Sequence, residues 1–226
     1  LGGLWIATNE GIVHSEINSP LTLIPAEGQI RSQVSSISRF ENKIYIANDI
    51  GVLVLNPGEL KFKLIDGSNK PAYQLLGFNG KLFAATNWGL RTVKGNQFDI
   101  EINPESISYL NASSHFPDLF YFGGIGFIGL VKTEIGKSPI VKIFDLTTDE
   151  IGSVIEDVDS SLWITRADRP IAHITNKLKG FESAFGNDGI QIDYYSEIER
   201  LPGNYWSLFN FEGRLLLGTD KGIYKF

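Results

Sequence analysis

The sequence predicts an all-β fold assembled from repeated hairpins, on three observations. One short phrase, an apolar run followed by a polar turn with glycine and a second apolar run, is written six times along the chain. Its copies begin at residues 4, 44, 82, 119, 162 and 215, so the spacings are 40, 38, 37, 43 and 53 residues. A further apolar run, joined by its own turn, precedes most copies. A period near 40 residues built from strands marks a repeat architecture.

Copy one is Leu4-Trp5-Ile6-Ala7-Thr8-Asn9-Glu10-Gly11-Ile12. Copy two is Ile44-Tyr45-Ile46-Ala47-Asn48-Asp49-Ile50-Gly51-Val52, approached by the run Val34 to Phe40. Copy three, Leu82-Phe83-Ala84-Ala85-Thr86-Asn87-Trp88-Gly89-Leu90, follows the run Tyr73 to Phe78 and the turn Asn79-Gly80-Lys81. A glycine turn delivering β-favouring residues, then a polar pair and another glycine, predicts two strands and a tight reversal. A more variable strand such as Phe98 to Ile102 comes after the hairpin. Copy four is Leu119-Phe120-Tyr121-Phe122-Gly123-Gly124-Ile125-Gly126-Phe127. Copy five, Leu162-Trp163-Ile164-Thr165-Arg166-Ala167-Asp168-Arg169-Pro170-Ile171, is irregular and follows Ile151 to Val158. Copy six, Leu215-Leu216-Leu217-Gly218-Thr219-Asp220-Lys221-Gly222-Ile223, follows Trp206 to Phe211.

Each repeat thus holds three or four antiparallel strands with apolar residues on both faces. Small sheets buried on both faces stack face to face around an axis, which is a β-propeller of about six repeats of roughly 40 residues. The aromatic at the second position (Trp5, Tyr45, Phe83, Phe120 and Trp163, with Leu216 the exception) is expected to pack between neighbouring blades. Copy six has an inner strand before it, whereas copy one begins at residue 4 without room for one. Residues 1–226 are therefore expected to form a single propeller domain, or part of one, with an incomplete first blade. A piece of a larger propeller fits this count better than a closed ring.

The 226 residues are 42% hydrophobic and 20% charged, enough to bury a sizeable core. A formal net charge of −6 argues against nucleic acid, since binding a phosphate backbone needs a basic face. There is no cysteine, which removes disulfides, thiolate nucleophiles and most zinc frameworks. The longest uncharged run, Leu119 to Val131, is 13 residues and suits buried strands rather than a membrane span of about 20. No membrane contact by this region is expected.

The stretch Ile151-Gly152-Ser153-Val154-Ile155-Glu156-Asp157-Val158-Asp159-Ser160-Ser161-Leu162-Trp163-Ile164-Thr165, together with the hairpin Leu4 to Ile12, resembles the two-component regulator propeller repeat. The C-terminal Leu215 to Phe226 is similar to the blade that often ends such propellers. The resemblance covers nearly the whole chain. Copies four and five depart from it, with Gly123-Gly124 in place of threonine and asparagine and with Arg166 to Pro170 in place of the glycine turn. It implies a non-catalytic extracytoplasmic sensory propeller, periplasmic or at the cell surface, of a bacterial regulator of Bacteroidetes-like type, with a small-molecule or oligosaccharide ligand of glycan origin. A protein partner or homodimer fits such a receptor too. The alternatives are an interaction scaffold in envelope assembly or secretion and, third, a propeller lyase or glycosidase.

Other motifs have ordinary explanations. Gly124-Ile125-Gly126-Phe127-Ile128-Gly129 fits the dinucleotide fingerprint, but that site requires a following helix, and here the glycines fall in a hairpin. His14, His115 and His173 lie in different repeats, too dispersed for a three-ligand metal site. The oxygen-rich segments Asp157-Val158-Asp159 and Asn187 to Asp193 lack the twelve-residue calcium loop and are read as turns. No nucleophile elbow or zinc-protease motif is present, so no catalytic residue, cofactor or metal is assigned. Binding candidates are sought where the repeat fails. Arg166, Asp168 and Arg169 could grip an acidic group, with a salt-bridged turn as the competing reading. The long final interval contributes Tyr194, Tyr195 and Tyr205, and Trp88 occupies a turn position where other copies have Glu, Ile or Lys.

Overall fold

The structure, a computed structural model, describes residues 3–8, 11–16, 33–102, 105–133, 140–166, 171–176, 190–194 and 207–225. These form nineteen β-strands, with no helix among the described residues. The six repeated phrases become the central hairpins of six successive blades of a β-propeller.

Of blade 1, the described residues form the pair β1 (Gly3–Thr8) and β2 (Gly11–Glu16). Blade 2 runs through β3 (Ser36–Phe40), β4 (Lys43–Ala47), β5 (Val52–Leu55) and β6 (Lys63–Leu64). Blade 3 comprises β7 (Ala72–Phe78), β8 (Lys81–Thr86), β9 (Gly89–Lys94) and β10 (Gln97–Ile102). In each four-stranded sheet the order follows the chain, as successive hairpins require.

Blades 4 and 5 share one long strand. Blade 4 begins with β11 (Ile107–Ala112) and β12 (Leu119–Lys132). Fully extended, the 14 residues of β12 would span roughly 45 Å, yet Thr133 N donates to Asp118 O at 2.7 Å. The element therefore doubles back on itself, and Gly126, at φ 79°, supplies the turn. β13 (Ile140–Glu156) pairs first with the returning arm of β12 and then, from Ile151 onward, with β14 (Leu162–Arg166). It is at once the outer strand of blade 4 and the inner strand of blade 5, which continues through β15 (Ala172–Asn176) and β16 (Ile190–Tyr194). Blade 6 is β17 (Ser207–Phe211), β18 (Arg214–Thr219) and β19 (Gly222–Lys225).

The apolar runs expected ahead of the hairpins correspond to β3, β7, the second half of β13 and β17. These inner strands run in one direction and are stitched to one another by side chains. Leu75 N donates to Ser36 Oγ, Gln74 exchanges two 2.8 Å bonds with the backbone of Leu110, Tyr109 Oη donates to Val154 O, and Leu208 N donates to Ser153 Oγ. The hydrogen bonds of an otherwise open strand edge are thereby passed to the next blade.

Alternate residues of each central strand face opposite neighbours. Leu82 and Ala84 pack with Tyr45, Ala47, Val52 and Val54 of blade 2, while Phe83, Ala85 and Leu90 pack with Phe120, Phe122 and Phe127 of blade 4. The expected aromatic ladder is present at Tyr45, Phe83 and Trp163, all buried, while the side chain of Trp5 lies outside the described residues. In copy four Phe120 too is buried between blades, but the register is shifted by one residue. The turn of this copy closes at Gly124 and Phe127, so Phe120 takes the Leu82 position and looks back at blade 3, with its ring 4.6 Å from Phe83. Tyr121 is the forward-facing aromatic. A one-residue slip moves every side chain to the other face, and the unbroken apolar run from Leu119 to Phe122 offered no alternation to fix the register.

Candidate functional site

Because the inner strands run alike, all the repeated hairpin turns lie at one end of the blades. The same end carries a recurring irregularity. Between Ala72 and Gln74, Ile107 and Tyr109, and Ile151 and Ser153, the inner strand inserts one residue opposite its partner. Such bulges re-aim side chains beside functional sites. They fall at Tyr73, Ser108 and Gly152, and the half-buried aromatic Tyr73 is the candidate that the repeat phrase did not reveal. Its only sequence signal is the shifted alternation in Ala72-Tyr73-Gln74-Leu75.

The best-defined polar surface of this end lies where blade 2 meets blade 3. Asn48 closes the blade 2 turn, its Oδ1 accepting from Ile50 N and Gly51 N at 3.0 and 3.1 Å. Its carbonyl accepts from Ala72 N at 2.8 Å, and Pro71 O accepts from Asn87 N at 3.1 Å, so the two turns are held side by side. The connecting segment is packed tightly enough that a Cβ on Gly51 would lie 1.7 Å from Ser68 O. Beyond Ser68, Lys70 places its Nζ 4.4 Å from the Trp88 ring centroid, and the Arg91 guanidinium lies 3.8 Å from the same ring. Such contacts contribute about 0.5–2 kcal/mol each. Arg91 Nη2 also donates to Trp88 O at 3.3 Å.

Two donors here are unmatched. Asn48 Nδ2 and Trp88 Nε1 are buried and have no acceptor among the described residues. A buried donor without a partner costs about 1–3 kcal/mol, and such groups call for an explanation. Lys70 and Arg91 bring two positive charges beside them, with Asp49 in the adjoining blade 2 turn. The junction suits an acceptor-rich or acidic group.

Trp88 therefore sits in a structured surface, although its ring is already engaged by cations rather than open for stacking. Arg166 ends β14 opposite Ile151, beside the Gly152 bulge and at the same end as Trp88. Tyr194 pairs with Ala172 on the outer strand of blade 5, again at that end. Asp168, Arg169, Tyr195 and Tyr205 lie outside the described residues, as do the side chains of Arg166 and Tyr194.

At the opposite end, the Glu-Asp of the approach motif is tied into the fold. Glu156, 4% exposed, accepts from Tyr121 Oη at 2.7 Å through Oε1. Through Oε2 it accepts from Ser113 Oγ (2.8 Å), Ser114 N (2.7 Å), Ser114 Oγ (3.0 Å) and His115 N (3.2 Å). Burial alone would raise its pKa, but the donors from Tyr121, Ser113 and Ser114 outweigh it and hold the carboxyl below its ordinary value. Burial, reinforced by this carboxylate, pushes the Tyr121 phenol up. Asp157 accepts from Val158 N and Trp163 Nε1, and Asp159 accepts from Ser161 N, so these carboxylates build the turn. His173 stacks on Trp163 at 4.1 Å and meets Ser161 Oγ at 2.7 Å. Among the described residues no group of three or more metal-ligating side chains converges.

No family model matches the chain, and no curated protein matches it. Solved structures do. The extracellular domain of BT4673 from B. thetaiotaomicron, described as a one-component system in one structure and a hybrid two-component system in another, is 15% identical in the first, with a TM-score of 0.60 over 99% of this chain. The match spans 35% of that domain, so the chain is about a third of its length. Streptogramin B lyase is 15% identical, with a TM-score of 0.58 over 98% of this chain and 70% of the lyase. A catalytically inactive histidine-to-alanine variant of virginiamycin B lyase from Staphylococcus aureus, with quinupristin, is 14% identical, with a TM-score of 0.58 over 98% of this chain and 71% of that one. At these identities the likeness defines the fold, a propeller of the kind to which the repeat phrase pointed.

Proposed function

We propose that this chain is a non-catalytic, extracytoplasmic sensory propeller of a bacterial two-component-type regulator, binding its ligand at the turn end of the blades. The observation that carries the binding reading is the blade 2–blade 3 junction, where two unmatched buried donors adjoin Lys70 and Arg91. The signalling context is supported by the fold likeness to the extracellular domain of the BT4673 system across 99% of the chain. A carboxylate- or hydroxyl-bearing small molecule or oligosaccharide matches the donors. Arg166, Asp168, Arg169, Tyr194, Tyr195 and Tyr205 are proposed as a second contact region at blade 5.

The test is a thermal-shift screen of the full chain against neutral and uronic-acid oligosaccharides, amino acids and small organic acids, run beside assays for hydrolysis and elimination. The expected result is a shift with an acceptor-rich compound, lost in Lys70→Ala and Trp88→Ala, with no turnover. Turnover of any compound, or binding indifferent to both substitutions, overturns the proposal. The lyase reading has comparable fold likeness; of the histidine side chains among the described residues, His115 lies against Glu156 and His173 against Trp163.

A further inference from the structure

Blade 6 presents, toward the position of a following blade, the same face by which blades 2 to 5 grip their successors. The residue after each hairpin turn shows it. Val52, Leu90, Ile128 and Ile171 are 0%, 0%, 1% and 0% exposed, each clustered at the seam with the next blade. Their equivalent in blade 6, Ile223, is 69% exposed. Phe40 and Phe78, which end inner strands and pair with Lys43 and Lys81, pack onto the next seam. Phe211, paired with Arg214 in the same way, is 58% exposed. Leu216 holds the place of Tyr45, Phe83, Tyr121 and Trp163, and Phe209 holds that of Leu76 and Ile155.

The polar part of the seam is repeated as well. Ser36 lies opposite Ala47 and accepts Leu75 N of the next inner strand at 3.1 Å. Ser153 lies opposite Thr165 and accepts Leu208 N at 3.4 Å. Ser207, opposite Gly218, is the same residue at the same position and is exposed. An apolar face with a register-matched acceptor for a strand amide is more specific than a greasy patch. It defines a β-strand lying alongside β17.

We infer that this face of blade 6 binds a further sheet of the same repeat, whose inner strand runs parallel to β17, donates an amide to Ser207 Oγ and covers Phe209, Phe211, Leu216 and Ile223. The occupant would present aliphatic residues at the places of Leu75, Leu82 and Ala84, as blade 3 does to blade 2.

The experiment appends to the full chain a copy of residues 69–102, which carry the crossover and the four strands of blade 3. Thermal melting and amide exchange are compared with and without it. The expected result is a melting temperature higher by about 4 °C or more and slower exchange in β17 to β19. Ile223→Asp should then lower melting in the extended protein and leave the unextended chain within about 1 °C, since the side chain is exposed there. Ser207→Ala should give a smaller loss confined to the extended protein. An appended sheet without effect on melting or exchange overturns the inference, as does an Ile223→Asp effect equal in both backgrounds. Concentration-dependent dimerisation of the unextended chain that Ile223→Asp abolishes would assign the face to a second copy and overturn it too.

Discussion

The two seams that flank blade 4 are built on different physics. Toward blade 3 the seam is aromatic: Phe83, Phe120, Phe122 and Phe127 pack together, with Phe78 edge-on to Phe120 at 5.4 Å. Toward blade 5 the hydrophobic part is mainly aliphatic, and the outer end is closed by a buried carboxylate, Glu156, under Tyr121 and the turn Ser113-Ser114-His115. An apolar seam is held by area and shape, which do not change with pH. The carboxylate seam depends on one group remaining charged, which makes it conditional. One repeat can thus supply rigid joints and chemically sensitive ones by changing a few residues.

The largest expected effect lies on the aromatic side. Phe83 is fully buried between two blades, and Phe83→Ala removes a ring from a packed cluster, so unfolding free energy should fall by about 3–5 kcal/mol. Chemical denaturation at pH 7 and pH 5 should give the same loss. A loss that depends strongly on pH would erase the distinction between the seams.

Next comes Glu156→Gln. The amide keeps the shape but loses the charge that strengthens five donor contacts, and a loss of about 2 kcal/mol at neutral pH is expected. The carboxyl titrates below its ordinary 4.5 in the fold, so its stabilisation is present above that pH and drains away as pH falls through the lower folded value. Melting curves should show acid destabilisation beginning below about pH 4.5 in the parent and a weaker acid response in Glu156→Gln. Parallel acid profiles would show that the seam does not rely on this charge.

Much of the architecture was legible in the chain and much of the site was not, for physical reasons. Hairpins such as Leu82 to Leu90 are local: a turn residue pair, a glycine and β-favouring flanks suffice, and the period repeats the message. Copy four was misplaced by one residue because Leu119-Phe120-Tyr121-Phe122 is apolar on both faces, so no alternation identifies which side faces which blade. The Glu156 cluster joins residues about 40 positions apart, and the Lys70–Trp88–Arg91 surface depends on how a crossover folds over a turn. Neither spacing follows from the repeat phrase. The bulges at Tyr73, Ser108 and Gly152 are hidden likewise, because an inserted residue leaves the apolar count unchanged.

Tyr121→Phe sharpens the contrast further, with a smaller expected loss of about 1–2 kcal/mol. It deletes the donor to Glu156 Oε1 and keeps the ring in the seam. The phenol, raised in the fold from an ordinary 10.0, stabilises the native state fully below that pH and loses its contribution as pH climbs above it. The parent should therefore weaken in alkaline solution above about pH 10 more than Tyr121→Phe does.

The smallest expected effect tests the inner-strand stitching at the two outer seams, blade 2–blade 3 and blade 5–blade 6. Ser36→Ala removes the acceptor for Leu75 N, a single neutral hydrogen bond worth about 1 kcal/mol. The equivalent change at Ser153 should cost more. Ser153 Oγ lies 2.6 Å from Thr165 Oγ1 as well as accepting Leu208 N, and the residue is only 6% exposed. Two partners are orphaned there instead of one. Equilibrium denaturation of the two single variants, at matched slopes, should rank Ser153→Ala as the more damaging. If Ser36→Ala proved equal or worse, the cost would reside in the amide at the inner-strand edge rather than in the number of partners, and the seams would be ranked by strand edges instead of side-chain networks.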